Sequence, residues 1–562
     1  MVFLLSLLLA ADLPPAAPLA DAAMQGDEDR VRALIAEGAD VNAAQGDGMT
    51  ALHWAAERGN VKVAEMLLTA GADVRAVTRL GGYTPLHRAS QNGHGAVARL
   101  LLQAGSDPEA VTEGTGGVTP LHFAAGAGVV DVVSALLDYG ADPNVREAEW
   151  GQTPLMFAAA SNRTRAIAEL LRRGADPSVT ARVLDVDEYD RLGKEVLKGL
   201  KAGMKLEEAL AAAKAKPPEP GYKDMPSDGN VPYQKMVGTY GGLTALLLAA
   251  RNGNIEAVRA LLDGGADINE MSAGDRTSPL LVSTINGRWD VAMELVSRGA
   301  DPNLASAPGG TPLYATIDVQ WLPATRFPRH THNMFQQTPY LELMEALLEA
   351  GADPNVRTKM ELWYTVVGTG NLGVDFGGAT PFWRAAHALD LDAMKLLVRY
   401  GADPNIPTSA VEIAPRRDNH LLKHLGDHDP SGVPPIEVGG PGHYPIHAAA
   451  GVGYSREYNW EHRHAPDGWM RAVRYLVEEH GADVNARDHY GATALHGAAA
   501  RGDNEMIKYL VEKGADVTIV TRQHLTTADA ANSPYQRFPV WPSTIELLTN
   551  LGAPFNNICV GC

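Results

Sequence analysis

With only two cysteines in 562 residues, Cys559 and Cys562, the chain has no disulfide framework to staple it, and stability has to come from packing. Aromatic residues are scarce at 6%, and 48 basic residues are outnumbered by 67 acidic ones, a formal net charge of -19. That balance argues against nucleic acid and anionic membrane surfaces as partners, since both ask for clustered Lys and Arg. His-Glu-x-x-His, Gly-x-Ser-x-Gly and P-loop patterns are missing, so the common metal, acyl-transfer and phosphate chemistries lack their signatures. Past residue 11 no stretch is apolar enough to cross a bilayer, which predicts no membrane insertion.

What the chain has in abundance is one phrase repeated between residues 21 and 558. A Thr-Pro-Leu-His-like opening leads to a Val-x-x-Leu-Leu-like middle and a Gly-Ala-Asp-like close. The closing glycines are Gly38, Gly71, Gly105, Gly140, Gly174, Gly265, Gly299, Gly351, Gly401, Gly481, Gly514 and Gly552, with ungapped steps of 33, 34, 35, 34, 34 and 33 residues. A fixed period of this length predicts a helical repeat array rather than a single-core globule. In Thr84-Pro85-Leu86-His87 and Thr119-Pro120-Leu121-His122 the threonine suits an N-cap, and the proline stands where a first-turn N–H would be orphaned anyway. Small residues such as Ala124-Ala125 then allow close helix approach, and a second helix carries apolar residues at helical spacing, as in Val61, Ala64, Leu67 and Leu68. The glycine is placed for a left-handed C-terminal cap, and Asp-Pro-Asn, as at Asp142-Pro143-Asn144, opens a turn.

These residues resemble the ankyrin repeat, a pair of antiparallel helices followed by a projecting hairpin finger. The resemblance covers most of residues 21 to 556. It implies an all-α repeat fold, an ankyrin solenoid of about twelve helix-pair units with hairpin fingers and five insertions, and a non-enzymatic scaffold for protein partners, here expected to be a monomer. It also implies that His53, His87, His122, His447 and His496 are structural hydrogen-bonding residues. Both ends depart from the pattern, as capping units must: residues 19 to 40 lack the Thr-Pro opening, and the last unit reads Thr527-Ala528-Asp529-Ala530.

The phrase divides the chain into residues 1–20, a signal peptide and linker; 21–178, five units; 179–241, an insertion; 242–405, four units with insertions at 318–338 and 357–378; 406–442, a histidine-containing insertion; 443–556, three units with an insertion at 452–468; and a 557–562 tail. Residues 1–11 match the apolar core of a secretory signal, although no Lys or Arg precedes it, and predict an exported, periplasmic or extracellular protein. The first insertion predicts one helical stretch from about Glu188 to Lys216, followed by a Pro-rich tether.

Seven of the nine tryptophans lie at or beyond Trp289, in or near the later insertions. Trp321, Phe327, Phe335, Trp363, Tyr364, Tyr458, Trp460 and Trp469 are the candidate partner-binding residues, because long loops in compact repeats are usually functional and large aromatics carry much binding energy. The alternative is that these rings seal the loops onto the scaffold. His420 and His424 share one helix face and, with His428, are weak metal candidates; a solvated histidine-rich loop is the plainer reading, a metal-dependent enzyme the sharper one. Gly368 to Gly373 fits a dinucleotide fingerprint, but loop residues follow it instead of a helix, so no nucleotide cofactor is expected. Cys559 and Cys562 suit a small disulfide, or a c-type haem attachment if the chain continues past Cys562 into histidine, which would make the protein redox-associated. No other cofactor is expected.

Overall fold

A computed structural model describes residues 17–114, 116–215, 238–322, 332–360, 362, 374, 377–411, 429–452, 464–532 and 540–558. The chain divides into two compact units, residues 1–183 with 241–274 and residues 184–240 with 275–562.

In the first unit six antiparallel helix pairs stack in sequence order. They are α1 (Pro18–Gln25) with α2 (Glu28–Ala36), α3 (Ala51–Arg58) with α4 (Val61–Thr69), α5 (Pro85–Asn92) with α6 (Gly95–Gln103), α7 (Pro120–Ala127) with α8 (Val130–Asp138), α9 (Pro154–Ala160) with α10 (Thr164–Arg172), and, beyond the first insertion, α13 (Ala245–Asn252) with α14 (Ile255–Asp263). Opening helices start as their sequences predict: Thr50, Thr84 and Thr119 each form a capping box with the histidine three residues on. Their buried faces are leucine and alanine, among them Leu52, Ala55 and Ala56, all at most 1% exposed. Small side chains there let successive helices approach until one apolar seam runs through the stack.

The second unit holds six more pairs: α15 (Pro279–Ile285) with α16 (Trp289–Ser297), α17 (Pro312–Gln320) with α18 (Tyr340–Glu349), α19 (Pro381–His387) with α20 (Leu391–Arg399), α21 (Pro445–Ala450) with α22 (Gly468–Arg474), α23 (Ala494–Ala500) with α24 (Asn504–Glu512), and α25 (Thr527–Ala530) with α26 (Pro542–Asn550). The twelve pairs coincide with the twelve closing glycines. In eleven of the closures the glycine φ lies between 81° and 98°; Gly481 stands apart at 63°. A π-turn, Tyr475–Glu479, continues α22 and accounts for the difference. The last pair is capped by Asp529, which takes the histidine's place: its Oδ2 accepts from Thr526 Oγ1 (2.9 Å) and its Oδ1 accepts the N–H groups of Asn556 and Ile558 (both 3.1 Å), tying down the end of the described chain.

The first insertion differs from expectation. Two helices, α11 (Val186–Lys201) and α12 (Leu206–Ala215), pack as a hairpin in place of one continuous helix. Gly203, at φ 87°, reverses the chain, and the Met204 N–H returns to the Gly199 carbonyl at 3.1 Å. Gly199 also permits close approach, since a Cβ there would stand 2.8 Å from that of Ala209. Two short strands, β1 (Val183–Asp185) and β2 (Thr239–Gly241), pair where the insertion leaves and rejoins the repeats. Among the described residues no helix is long and apolar enough to cross a membrane.

Candidate functional site

Three recurring sets of hydrogen bonds, each present at some of the junctions, fix projecting fingers to their neighbours. The first begins in the opening phrase. The Thr50 N–H donates to His53 Nδ1 (3.2 Å), so that nitrogen is an acceptor and the ring proton sits on Nε2, from which it is donated to the Tyr83 carbonyl in the next finger (2.9 Å). His87 reaches the Val118 carbonyl, His122 that of Gln152 and His447 that of Ala486 in the same way, at 3.2, 3.0 and 2.9 Å. Burial of the rings lowers the pKa of His53, His87, His122 and His496 to about 4 and shifts His447 in the same direction. These histidines are neutral scaffold members, as the resemblance implied.

The second set joins finger tips through backbone. Arg79 N–H donates to the Asp47 carbonyl (2.8 Å), Glu113 to Gly81 (3.0 Å) and Ala148 to Gly116 (2.6 Å) in the first unit; Lys359 donates to Pro308 (2.9 Å), Ser409 to Gly377 (2.7 Å) and Arg522 to Tyr490 (2.9 Å) in the second. Glycine at the tip makes this approach possible: a Cβ on Gly82, already at φ 58°, would lie 2.9 Å from the Glu113 nitrogen.

The third set uses the Asp-x-Asn close. The Asn144 carboxamide accepts the Asp176 N–H (2.7 Å) and donates to the Gly174 carbonyl (3.1 Å). Asn303, Asn355 and Asn485 grip Asp353 and Gly351, Asp403 and Gly401, and Asp516 and Gly514 in the same two-point manner. In the sequence these asparagines read only as turn residues; their recurrence four positions after a closing glycine was the available signal.

Three of the eight candidate aromatics fall among the described residues. Phe335 is 80% exposed in a short 3-10 turn, His332–Phe335. Trp321 faces inward, its Nε1 donating to Asp390 Oδ2 (2.7 Å), where Tyr340 Oη also donates (2.8 Å), with its ring edge-on to Tyr340. Trp469 is half-buried beneath the Arg501 guanidinium, which stands 3.4 Å from the ring centroid, with His464 on it edge-on. Phe327, Trp363, Tyr364, Tyr458 and Trp460 lie outside the described residues, as do His420, His424, His428, Cys559, Cys562 and the apolar run 1–11.

Two sets of ionisable groups meet in the second unit. Arg384 Nε donates to Asp318 Oδ1 at 2.6 Å, with both side chains only 1% exposed, and an Arg384 amino group also reaches the Trp321 carbonyl (3.2 Å). His443 Nδ1 lies 3.0 Å from Asp488 Oδ2 in a buried cluster with His447 and His489. Burial alone would raise the Asp488 carboxyl, but the neighbouring His443, His447 and His489 hold it below the usual carboxylate range. The other carboxylate oxygen accepts the Tyr490 and Ala492 N–H groups, the work of a turn anchor. Among the described residues no group of three His, Cys, Asp or Glu side chains is arranged to hold a metal.

Family models described as ankyrin repeats match residues 19–112, 105–181, 227–306, 377–409 and 461–511, together more than half of the chain. The chain belongs to the ankyrin-repeat family. Similar proteins include ankyrin repeat and SAM domain-containing protein 6 of Rattus norvegicus, 36% identical over 110 residues, which are 19% of this chain and 10% of that protein. Alpha-latrocrustotoxin-Lt1a of Latrodectus tredecimguttatus is 41% identical over 64 residues, 11% of this chain and 4% of the toxin. A putative ankyrin repeat protein of fowlpox virus is 39% identical over 59 residues, 10% of this chain and 9% of the viral protein. The chain thus spans no more than about a tenth of these relatives' lengths, and the likeness is one of ankyrin repeats.

Proposed function

We propose that this ankyrin-repeat chain is a non-enzymatic scaffold that holds a protein partner along its finger edge, and that it works outside the cytoplasm. The observation that carries the reading is the pairing of rigid fingers with exposed apolar tips. Val77 and Val111 occupy the same position in consecutive fingers and are 52% and 56% exposed; Leu80 and Trp150 project beside them at 80% and 46%. A preorganised edge binds without the entropic cost of ordering loops, and exposed apolar residues set in a polar surround mark interaction surfaces. Phe335 offers a comparable contact in the second unit. Export rests on the apolar run of residues 1–11 alone.

The test is cross-linking capture by the full chain in extracts of its source organism, with partners identified by mass spectrometry. The triple variant Val77→Asp, Val111→Asp, Trp150→Ala is expected to keep its melting temperature and lose the partner. Undiminished capture by that variant would refute the finger-edge reading, and recovery of the protein in the cytoplasmic fraction would refute export.

A further inference from the structure

One junction in the second unit carries the asparagine but not its grip. Asn405 stands four residues after Gly401, where Asn144, Asn303, Asn355 and Asn485 stand after theirs, and its target would be Gly481 and Asp483. Among the described residues the Asn405 carboxamide makes no hydrogen bond to either, and the Asp483 N–H and Gly481 carbonyl have no protein partner. The cause lies in the preceding helix. From buried Leu67 to Gly71 the chain takes four residues, but from buried Leu476 to Gly481 it takes five. That extra residue is absorbed as the π-turn Tyr475–Glu479, and the Ala482 N–H bonds back six residues to Leu476, whereas Ala72 bonds back five to Leu67.

Beside Asn405 and Asp483 lies a partly open cavity of about 270 Å³, lined also by Pro404, Tyr444, Pro445, Ile446 and Arg487. Its lining is mixed: apolar Pro404, Pro445 and Ile446 meet Asp483, Arg487 and the spare Asn405 carboxamide, and the Gly481 carbonyl lies two residues before Asp483 without lining it. At four other junctions the equivalent N–H and carbonyl pair is met by a primary carboxamide.

We infer that this opening is a peptide-binding site that takes an Asn or Gln side chain from an extended segment of a partner protein. The incoming carboxamide oxygen accepts the Asp483 N–H, its NH2 donates to the Gly481 carbonyl, and its methylene stem packs on Pro404, Pro445 and Ile446. Asn405 then faces the peptide backbone beside it. A carboxylate in the same place has no proton for the Gly481 carbonyl, and a leucine satisfies neither group. This inference rests on the scaffold reading and gives it a chemistry.

The experiment titrates the full chain with fluorescein-labelled decapeptide pools whose central residue is fixed as Asn, Gln, Asp, Glu or Leu and whose flanks are randomised. Asn and Gln pools should bind roughly tenfold more tightly than the other three, the discrimination expected of two exposed hydrogen bonds. Ala482→Glu, at the cavity wall, should remove that preference. Deleting Glu479 should convert the π-turn to a regular helix end, return Asn405 to its usual grip, raise the melting temperature and also abolish binding. Equal binding of all five pools, or an unchanged preference in Ala482→Glu, would overturn the site. If partner capture through the finger tips survives while the pools fail, this inference falls and the scaffold reading stands; loss of both sinks both.

Discussion

Trp383 Nε1 donates to the His443 carbonyl at 2.8 Å across a gap of sixty residues in sequence. Trp383 stands third after Thr380, where other units have histidine, and His443 immediately precedes Tyr444 as Tyr83 precedes Thr84. The indole therefore performs the histidine's task of tying a helix start to the next finger, with a longer reach and no capacity to titrate. Trp383→Phe should leave the buried carbonyl unpaired and cost about 1–3 kcal/mol in urea unfolding, while Trp383→His should recover part of the loss. Equal stability of all three would show that the bond contributes nothing.

The histidines predict acid sensitivity. His53, His87, His122, His489 and His496 have pKa values lowered to about 4 in the folded chain, chiefly by burial, from an ordinary 6.5. Between pH 6.5 and 4 the unfolded chain binds more protons than the folded one, so stability falls as pH falls, by about 1.4 kcal/mol per pH unit for each such group. The melting temperature should be flat above pH 7 and drop steeply through this window. Replacing His122 by Gln should shallow the slope, and an unaltered slope would show that His122 does not contribute to it.

Arg384 and Asp318 form a buried ion pair. Asp318→Ala leaves an uncompensated guanidinium and should destabilise the second unit by about 3–5 kcal/mol, whereas replacing both by leucine should cost far less. A double mutant as unstable as the single one would contradict this account.

The asparagines separate by junction. Asn144→Ala should cost about 1–2 kcal/mol by removing two hydrogen bonds, while Asn405→Ala should change stability by less than about 0.5 kcal/mol. Thermal unfolding of the two variants decides the matter, and a cost at Asn405 equal to that at Asn144 would mean that both are engaged.

Trp321 and Phe335 were grouped by sequence and are divided by structure. Trp321→Ala should destabilise by about 2 kcal/mol, losing a hydrogen bond and a half-buried ring, and Phe335→Ala should be neutral for folding. Equal effects of the two on the melting temperature would show that the distinction in burial has no energetic weight.

The repeat was legible because each unit must turn its chain at a left-handed residue, and glycine there leaves a mark every 33 to 35 residues between Gly38 and Gly174. Thr-Pro was equally informative, since capping is decided locally. What could not be read depends on partners distant in the chain. Nothing near Trp321 announces that Asp390 will meet it, and an asparagine in a turn looks the same whether its carboxamide grips the next glycine, as Asn144 does, or not, as with Asn405. The break in the first insertion was local but masked by good helix formers on both sides of Gly203.

The central claim is that within each unit the fingers are held in a preorganised edge before any partner arrives. Amide hydrogen exchange on the free chain tests it most directly. The N–H groups of Glu113, Ala148, Lys359 and Ser409 should be protected in the absence of ligand, and that of Asp483 should exchange rapidly. Fast exchange at all five would mean that the fingers order only on binding, and would contradict the account.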